Sequence, residues 1–171
     1  MANVESLFAA HQQGVFRYLC RIVGQAETAR DLTQEVFLRV SRAPVPEADP
    51  AGRRAWVFKI ARNLALNHLR DRRHETGTVE LVDSAEPAVQ ELGLAIRQAL
   101  AGLAELDRDV FLLRETAGLS YDEIAGACDL SVEAVRARLR RSREQLREAL
   151  AGPMQVHRDR PVRFGTPRFE D

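Results

Sequence analysis

The stretch LSYDEIAGACDLSVEAVRARLRRSREQLREAL, residues 119–150, decides the fold of this chain. Ser120 can cap a helix, and Glu123 three residues later completes a capping box, which gives acceptors to otherwise unpaired backbone amides. Asp129 suits a tight turn, and Ser131 is placed to cap a second helix. The stretch therefore predicts two helices joined by a short turn.

The second of these predicted helices has two chemically different sides. At about 100° per residue, one side is apolar and an adjoining stripe is basic. The apolar positions are Val132, Val135, Leu139, Leu146 and Leu150; the stripe contains Arg136, Arg140, Arg143 and Arg147, extended by Arg138 and Arg141. This is the layout of a DNA-reading helix-turn-helix. From these residues alone, an ordinary solvated amphipathic helix is the alternative interpretation.

The charge of the chain is unevenly distributed. The 171 residues carry a formal net charge of zero, and 45% of them are hydrophobic, enough for a globular core. Residues 51–74 hold seven basic side chains and one acid, whereas residues 75–130 hold twelve acids and three arginines. Because local charge is what contacts phosphate, overall neutrality does not exclude a nucleic-acid partner.

Apolar positions recur at helical spacing almost throughout, with no alternating strand segment, and this predicts an all-α protein of two small helical domains joined by a flexible linker. In the N-terminal half, the pattern predicts a first helix with Val4, Leu7, Phe8, His11, Val15, Leu19 and Ile22, and a second with Ala29, Leu32, Val36 and Val40. A loop over 41–52 and a long helix from about Arg53 to Arg73 follow, and a linker over 75–86 ends this half. The C-terminal half is predicted to contain a helix that begins at Pro87, with Val89, Leu92, Ile96, Leu100 and Leu103, then a helix with Val110, Phe111 and Leu113, and finally the helix-turn-helix.

Several classes of protein are not favoured by the sequence. No apolar run approaches the roughly 18 residues of a membrane span, and the first residues lack a signal-peptide pattern, so we expect a cytoplasmic protein that is not integral to a membrane. Cys20 and Cys128 lie far apart in helical patterns, which favours structural thiols over a disulfide. The four histidines show no metal-ligand spacing, and no catalytic constellation stands out. We therefore expect no metal, no cofactor and no enzymatic activity.

The basic segment 51–74 also predicts a two-sided helix. Val57, Phe58, Ala61, Leu64 and Ala65 form its packing side; Trp56, Lys59, Asn63, Asn67 and Arg70 lie together on another side, within roughly 80°. An aromatic ring can stack on an unpaired base, amides can bind its edge, and cations can hold the backbone, so this side suits single-stranded nucleic acid. The alternative is that Trp56 belongs to the core and the asparagines are merely solvated.

Three segments resemble bacterial RNA polymerase sigma factors of the extracytoplasmic-function group. RAWVFKIARNLALNHLRDRR, residues 54–73, resembles their strand-opening helix, and ARDLTQEVFLRV, residues 29–40, is similar to their polymerase-docking helix. RDVFLLRETAGLSYDEIAGACDLSVEAVRARLRRSRE, residues 108–144, resembles their promoter-reading helix-turn-helix. The three segments occur in the order that the family has.

The resemblance implies a sigma factor that directs promoter-specific initiation and has no catalysis of its own. It implies sigma region 2 over 1–74 and region 4 over 87–150, joined by the linker over 75–86. Residues 151–171 are rich in proline and arginine and have no helical period, so we expect a flexible tail there. The implied partners are core RNA polymerase, through its beta-prime clamp helices and beta flap, promoter DNA and an anti-sigma factor. The residues implied to contact the polymerase are Asp31, Gln34, Glu35 and Leu38.

The resemblance also implies two DNA sites. The minus-10 site comprises Trp56, Lys59, Arg62, Asn63, Asn67 and Arg70, with Asn63 lining a pocket for a flipped base. The minus-35 site comprises Ser131, Glu133, Arg136, Arg138, Arg140, Arg141 and Arg143. Glu133 could accept a hydrogen bond from a cytosine amino group or could simply favour the helix N-terminus.

The chain departs from the family pattern at several places. The loop over 41–52 is proline-rich where an aromatic residue and a glycine are frequent, Arg30 stands where an acid is common, and Ala104 replaces a frequent proline. Two other functions also fit the residues. A stand-alone helix-turn-helix regulator would bind duplex DNA unaided, usually as a dimer, and a helical adaptor would bind only proteins.

Overall fold

The structure, a computed structural model, describes residues 4–76 and 87–151, with side chains described for 4–72 and 93–151. These ranges contain seven helices: α1 (Val4–Val23), α2 (Ala26–Arg42), α3 (Pro50–Thr76), α4 (Pro87–Ala101), α5 (Glu105–Glu115), α6 (Tyr121–Cys128) and α7 (Val132–Ala151). No strand occurs in the two described ranges, and the prediction of an all-α protein is confirmed.

The predicted loop over 41–52 is wrong at both ends, because only residues 43–49 lie outside helices. The side chain of Asp49 accepts a hydrogen bond from the backbone N–H of Gly52, at 2.7 Å. An aspartate in this position satisfies a free amide at a helix start, and Pro50 fits the first helical position because no donor is needed there. The Asp-Pro pair therefore begins α3 earlier than the prolines suggested.

The far end of α3 also differs from the prediction. The helix continues past Arg73 to Thr76 and includes the first two residues of the predicted linker over 75–86. Residues 77–86 lie outside the described residues, as does the predicted tail from residue 152 onward. The flexibility predicted for both segments stays a prediction.

Helices α1, α2 and α3 form the N-terminal half of the molecule. The predicted packing side of α3 is buried in full, which confirms that assignment. Gly24 ends α1 with φ of 75°, a backbone conformation that glycine adopts without strain, and its N–H donates to the Cys20 carbonyl at 3.0 Å. Phe8, predicted on the apolar side of α1, is 42% exposed and packs edge-on against Phe37, with ring centroids 4.9 Å apart.

Helices α4 to α7 form the C-terminal half and contain the predicted helix-turn-helix. Ser120 and Glu123 make the predicted capping box at the start of α6. Asp129 takes the left-handed conformation, with φ of 54°, and turns the chain toward α7. Ser131 accepts a hydrogen bond from the Ala134 N–H at 3.1 Å, as expected for a cap. The prediction of a helix-turn-helix is therefore confirmed, including the side-chain caps at the starts of α6 and α7.

Helix α4 begins at Pro87, as predicted, but its apolar side is less covered than expected. Leu103, predicted to belong to this helix, is buried but lies beyond it, because α4 ends at Ala101. Within the helix, Ile96 is 37% exposed. The reason is that α4 packs chiefly against α7 and so has one neighbour rather than several.

The two halves pack directly on each other through α3 and α6, which the sequence did not predict. One continuous core extends from Leu7 in α1 to Leu139 in α7. The helices approach closely because small residues meet: a Cβ placed on Gly126 would lie 3.4 Å from the Cβ of the buried Ala55. The prediction of two domains joined only by a linker therefore omitted an extensive contact.

Both cysteines of the chain, Cys20 and Cys128, are free thiols; Cys20 is half-buried and Cys128 is buried. Among the helices described here, none combines the length and the apolar character needed to cross a membrane.

Candidate nucleic-acid interface

The predicted minus-10 residues all lie on α3, and we call them the α3 face: Trp56, Lys59, Arg62, Asn63, Asn67 and Arg70. Part of this face is open, because Asn63, Asn67 and Arg70 are exposed. The Arg70 guanidinium donates to the side-chain oxygen of Asn67. Trp56 is half-buried against the core, so its indole combines a packing role with an accessible edge.

The other part of the α3 face is engaged by the C-terminal half. The Lys59 ammonium lies 2.6 Å from a carboxylate oxygen of Asp129, in the turn between α6 and α7. The Arg62 guanidinium donates to Asp109 of α5 at 2.9 Å. The Lys59 pair is solvent-exposed, whereas Asp109 is fully buried. An exposed pair is worth at most about 1 kcal/mol, so Asp109 carries the greater electrostatic consequence.

Burial is the main influence on the pKa of the Asp109 carboxyl. It raises the pKa of this carboxyl to about 6, although the charges of Arg62 and Arg108 act in the opposite direction. One of its carboxylate oxygens, Oδ1, is buried without a hydrogen-bond partner. Burial also raises the pKa of the nearby Cys128 thiol, to about 11. The carboxyl therefore sits in an environment that poorly solvates its charge.

Arg54 makes a third connection from α3 to the C-terminal half. Its guanidinium donates to the carbonyl oxygen of Ala117 and lies 3.3 Å from the carboxylate of Glu123. That carboxylate is the one that accepts from the Ser120 N–H in the capping box. Burial, followed by the charge of Arg54, lowers the pKa of the adjacent His11. The start of the helix-turn-helix is thus held by an arginine of the other half.

The predicted minus-35 residues lie at the start and along the basic side of α7, and we call them the α7 face: Ser131, Glu133, Arg136, Arg138, Arg140, Arg141 and Arg143. Two of them are bound to a buried carboxylate of α5. Arg138 lies 2.6 Å from Asp107, and Arg141 donates to Asp107 through two nitrogens, at 3.0 and 3.2 Å. Burial raises the pKa of Asp107, but the hydrogen bonds from Arg141 and Arg138 outweigh it and the net pKa is lowered.

The remaining residues of the α7 face do not bind Asp107. Arg136 and Arg140 are exposed, with the Arg136 guanidinium 5.9 Å from the centre of the Tyr121 ring. Arg143 makes an exposed ion pair with Glu115 at 2.9 Å. Glu133 is exposed in the first turn of α7, where an acid is stabilised by the helix dipole. Arg138, Arg141 and Arg143 therefore pair with acids of α5, whereas Arg136 and Arg140 face solvent.

The residues predicted to contact the polymerase all lie on α2, and we call them the docking surface predicted from the sequence: Asp31, Gln34, Glu35 and Leu38. Asp31 and Gln34 are exposed, and Leu38 is 42% exposed. Glu35 pairs with Arg39 one turn later, at 2.8 Å. Ala29, Val36 and Val40 are buried on the opposite side, as predicted. Arg30, the departure from the family pattern, pairs with Glu27 within α2.

Asp107, which binds Arg138 and Arg141 of α7, and Asp109, which binds Arg62 of α3, were not predicted as site residues from the sequence. A signal was present, because Asp109 lies about 40° around α5 from the apolar Leu113 by helical geometry. A carboxylate on the packing side of a helix requires a cationic partner. The identity of that partner could not be deduced from local sequence.

Comparisons with known proteins identify the family. Residues 7–75 match the family described as Sigma-70 region 2, and residues 93–146 match Sigma-70, region 4. The ECF RNA polymerase sigma factor SigC of Mycobacterium tuberculosis is 31% identical over 153 residues, covering 84% of this chain and 80% of SigC. The chain belongs to the extracytoplasmic-function sigma factors. The ECF RNA polymerase sigma factor SigE of Mycolicibacterium smegmatis is 33% identical over 162 residues, covering 88% of this chain and 63% of SigE.

Two solved structures share the fold of this sigma factor. The first is the sigma factor RpoE in complex with the anti-sigma factor NepR from Bartonella quintana, with a TM-score of 0.68, 21% identity, and coverage of 90% of this chain and 98% of that one. The second is CnrH in complex with the cytosolic domain of CnrY, with a TM-score of 0.68, 24% identity, and coverage of 87% and 88%. As an alternative sigma factor, this chain directs transcription initiation by RNA polymerase.

Proposed function

We propose that this sigma factor selects promoters by binding two elements at once, duplex minus-35 DNA at the α7 face and melted minus-10 DNA at the α3 face. The observation that carries the proposal is the exposure of Asn63 and Asn67 on the side of α3 that also bears Trp56. Amides at an accessible helix surface beside an aromatic ring are suited to hold a base that has left the duplex.

Melting in this proposal follows from differential binding. Unstacking a base costs a few kcal/mol, so a pocket at Asn63 that binds only the extruded base favours the open complex. Lys59, Arg62 and Arg70 would bind the phosphates of the same strand, which positions the bases without selecting their sequence.

The α7 face would enter the major groove with the N-terminal part of the helix. Arg136 and Arg140 are exposed and free to reach guanine edges or phosphates, whereas Arg138 and Arg141 would have to exchange Asp107 for DNA. We therefore assign sequence recognition to Arg136 first. Ser131 and Glu133 would lie at the groove edge, where Ser131 also caps the helix.

The docking surface of α2 would bind the clamp helices of the beta-prime subunit, with the C-terminal half reaching the beta flap. Its acids would guide association with basic residues of the polymerase. Leu38 would supply the apolar contact. We further propose that the protein acts in the cytoplasm without catalysing a reaction, and that an anti-sigma factor sequesters it, as NepR and the cytosolic domain of CnrY bind the two similar proteins.

The direct test is transcription with purified core polymerase on a library of genomic fragments, with and without this sigma factor. We expect a defined set of start sites, preceded by shared minus-35 and minus-10 sequences, to appear only when the protein is present. Tight, sequence-specific duplex binding without polymerase, and no new start sites with it, would instead indicate a stand-alone regulator.

The melting role of the α3 face has a sharper test in Asn63→Ala. Because Asn63 would bind only the flipped base, the variant should form closed complexes normally and lose permanganate-reactive thymines in the open complex. Gln13→Ala, an exposed amide on α1, is the matched control. An equal loss in closed and open complexes would remove Asn63 from the melting role.

A further inference from the structure

We infer that Tyr121 is a positioning residue for promoter recognition, because its ring holds the guanidinium of Arg136 where minus-35 DNA is bound. The inference rests on the proposed function, in which Arg136 reads base edges. Its basis is that the Arg136 guanidinium lies over the Tyr121 ring, 5.9 Å from the ring centre, within the range of a cation–π contact. Tyr121 begins α6 and Arg136 belongs to α7, so the contact joins the two helices of the helix-turn-helix.

The contact with Tyr121 restrains the Arg136 side chain without using its hydrogen-bond donors. Within the described ranges of the chain, no carboxylate pairs with Arg136. Asp107, by contrast, accepts hydrogen bonds from both Arg138 and Arg141. An arginine needs two N–H donors to read a guanine edge, whereas an aromatic ring attracts the cation through the charge distribution of its face. Arg136 is therefore held by the ring and is still equipped to read a base.

Tyr121 is suited to this role because its backbone and its ring are both fixed. It directly follows the N-cap of the capping box that Ser120 and Glu123 form. Its half-buried ring packs against the hydrophobic core. The Arg114 guanidinium of α5 lies 5.2 Å from the ring centre and donates to the Leu119 carbonyl at 2.7 Å, so a second cation contacts the ring while bound to the backbone before α6. The ring is therefore in place before DNA binds.

A third arginine beside Tyr121 is also bound to an acceptor of the protein. The pKa of Arg143 is raised chiefly by the hydrogen bond that it donates to Glu115, and hydrogen bonding with Tyr121 adds to the rise. Arg143 and Arg114 thus spend donors on the protein itself. Of the three arginines at this ring, Arg136 is the one whose donors are left for DNA.

The expected consequence of this arrangement is selectivity at one base pair rather than a general gain in affinity. A long, exposed arginine side chain loses rotamer freedom when it binds a base edge. A ring that already restricts Arg136 removes part of this cost, as preorganisation does in other complexes. Phosphate contacts along the rest of α7 do not involve the ring. Loss of the ring should therefore weaken recognition only where Arg136 reads the DNA.

Substitutions of Tyr121 test this role in the holoenzyme formed from core polymerase and the full chain. The probe is a promoter duplex recovered by library transcription, in competition with duplexes that have each minus-35 base pair replaced in turn. Arg136→Ala identifies the base pair that Arg136 reads. Tyr121→Leu should lower the preference at that base pair about two- to fivefold. Tyr121→Phe, which keeps the ring and removes the hydroxyl, should retain the preference.

The matched control is Phe16→Leu on α1, which removes another half-buried ring and should change no preference. In the Arg136→Ala protein, Tyr121→Leu should have no further effect, because the two side chains act together. A uniform loss at all base pairs in Tyr121→Leu would assign the ring to general stability of the helix-turn-helix. An equal loss in Tyr121→Phe would assign the effect to the hydroxyl. Either result would overturn the inference.

A spectroscopic measurement on the unchanged full chain covers the case in which Tyr121→Leu does not fold. The ring current of Tyr121 should shift the side-chain proton resonances of Arg136 upfield of those of Arg140, which is exposed and contacts no ring among the described residues. Tyr121→Phe should preserve this shift. Coincident resonances of the two arginines in the unchanged protein would contradict a contact with the ring.

Arg136→Ala separates failure of the inference from failure of the proposed function. If this substitution changes the preference at a minus-35 base pair and Tyr121→Leu does not, the inference fails and the reading role of Arg136 stands. If Arg136→Ala leaves the preference at every base pair unchanged, the reading role fails and the inference fails with it.

Discussion

The two basic surfaces of this sigma factor differ in where their acidic partners come from. Arg138 of α7 pairs with Asp107 of α5, within the same half. Arg62 of α3 pairs with Asp109, from the opposite half. The first pair survives when the halves separate, and the second does not. Similar ion pairs can therefore fix a domain or control access to a surface, depending on which parts of the chain they join.

The largest expected effect is a loss of folding stability when Asp107 is substituted, because this acid pairs with arginines of its own half and should stabilise that half. Asp107→Asn removes the charged acceptor of Arg138 and Arg141, which both keep solvent contact, and losing hydrogen bonds to a charged group costs about 1.5–3 kcal/mol. Urea unfolding of the full chain measures this. Glu115→Gln, which breaks the exposed pair with Arg143, is the control and should cost under about 1 kcal/mol. Equal losses would mean that the Asp107 cluster does not stabilise the C-terminal half.

The second prediction concerns pH and Asp109. Its pKa rises from 3.8 in the unfolded chain to about 6 in the folded one, so the folded state binds the proton more tightly. The free energy of unfolding should increase as pH falls from 7 through 6, by on the order of 2–3 kcal/mol at most, and this gain is lost as pH rises through 6.

His11 acts oppositely in the same pH window, because its pKa is lowered and its protonation destabilises the folded state. The measurement is therefore the difference between the unchanged protein and Asp109→Asn, which cannot titrate. Thermal unfolding at pH 7 and pH 5 should show a stability gain in the former relative to the latter. Parallel pH profiles would indicate that Asp109 is not desolvated in the folded chain.

The third prediction distinguishes arginines on α7. Arg136→Ala should weaken minus-35 recognition by about 1–3 kcal/mol and reduce the salt slope of binding by about one, without loss of stability, because its side chain is exposed. Arg17→Ala, an exposed arginine on α1, is the control. The check is competition between promoter variants in the presence of core polymerase. An unchanged promoter preference would remove Arg136 from sequence recognition.

The smallest expected effect is at Asp129. Asp129→Asn keeps the left-handed turn, because asparagine tolerates positive φ, and it removes one exposed charge from the contact between the halves. The contact between the halves should weaken by less than about 1 kcal/mol, and Lys59 should bind the phosphates of single-stranded DNA slightly more tightly. Asp122→Asn, an exposed acid of α6, controls for the change in net charge. The same gain in both variants would show a general charge effect.

Local features of this fold were predictable from the sequence because local rules determine them. The capping box of Ser120 and Glu123, the turn at Asp129 and the cap at Ser131 were all predicted and are all present. The start of α3 was not predicted, because the prolines were given more weight than the capping power of Asp49. Helical spacing likewise predicted which side of α3 is buried, but it did not predict how many helices pack against that side.

The contact between the halves could not be predicted, because it joins residues far apart in the chain. Arg62 and Asp109 are separated by 47 positions, and Lys59 and Asp129 by 70. Lys59, Arg62 and Asp129 had the sequence pattern of surface charges. Asp109 lies near the packing side of α5, but nothing local identified Arg62 as its partner. Small residues at Ala55 and Gly126 were compatible with a close helix contact, but nothing local specified their partner. Helical period determines which side of a helix packs, whereas the identity of the opposing helix depends on the assembled tertiary structure.

The central claim is that this sigma factor binds minus-35 and minus-10 DNA at once, with Lys59 and Arg62 released from the acids of the C-terminal half. A distance between the halves tests this claim most directly. Spin labels at the exposed positions Gln13 and Glu144, placed after substitution of both native cysteines, report this distance by pulsed electron paramagnetic resonance. The account predicts one narrow distribution for the free protein and a shift to longer distances in the complex with core polymerase and promoter DNA. A broad distribution in the free protein, or an unchanged one in the complex, would contradict it.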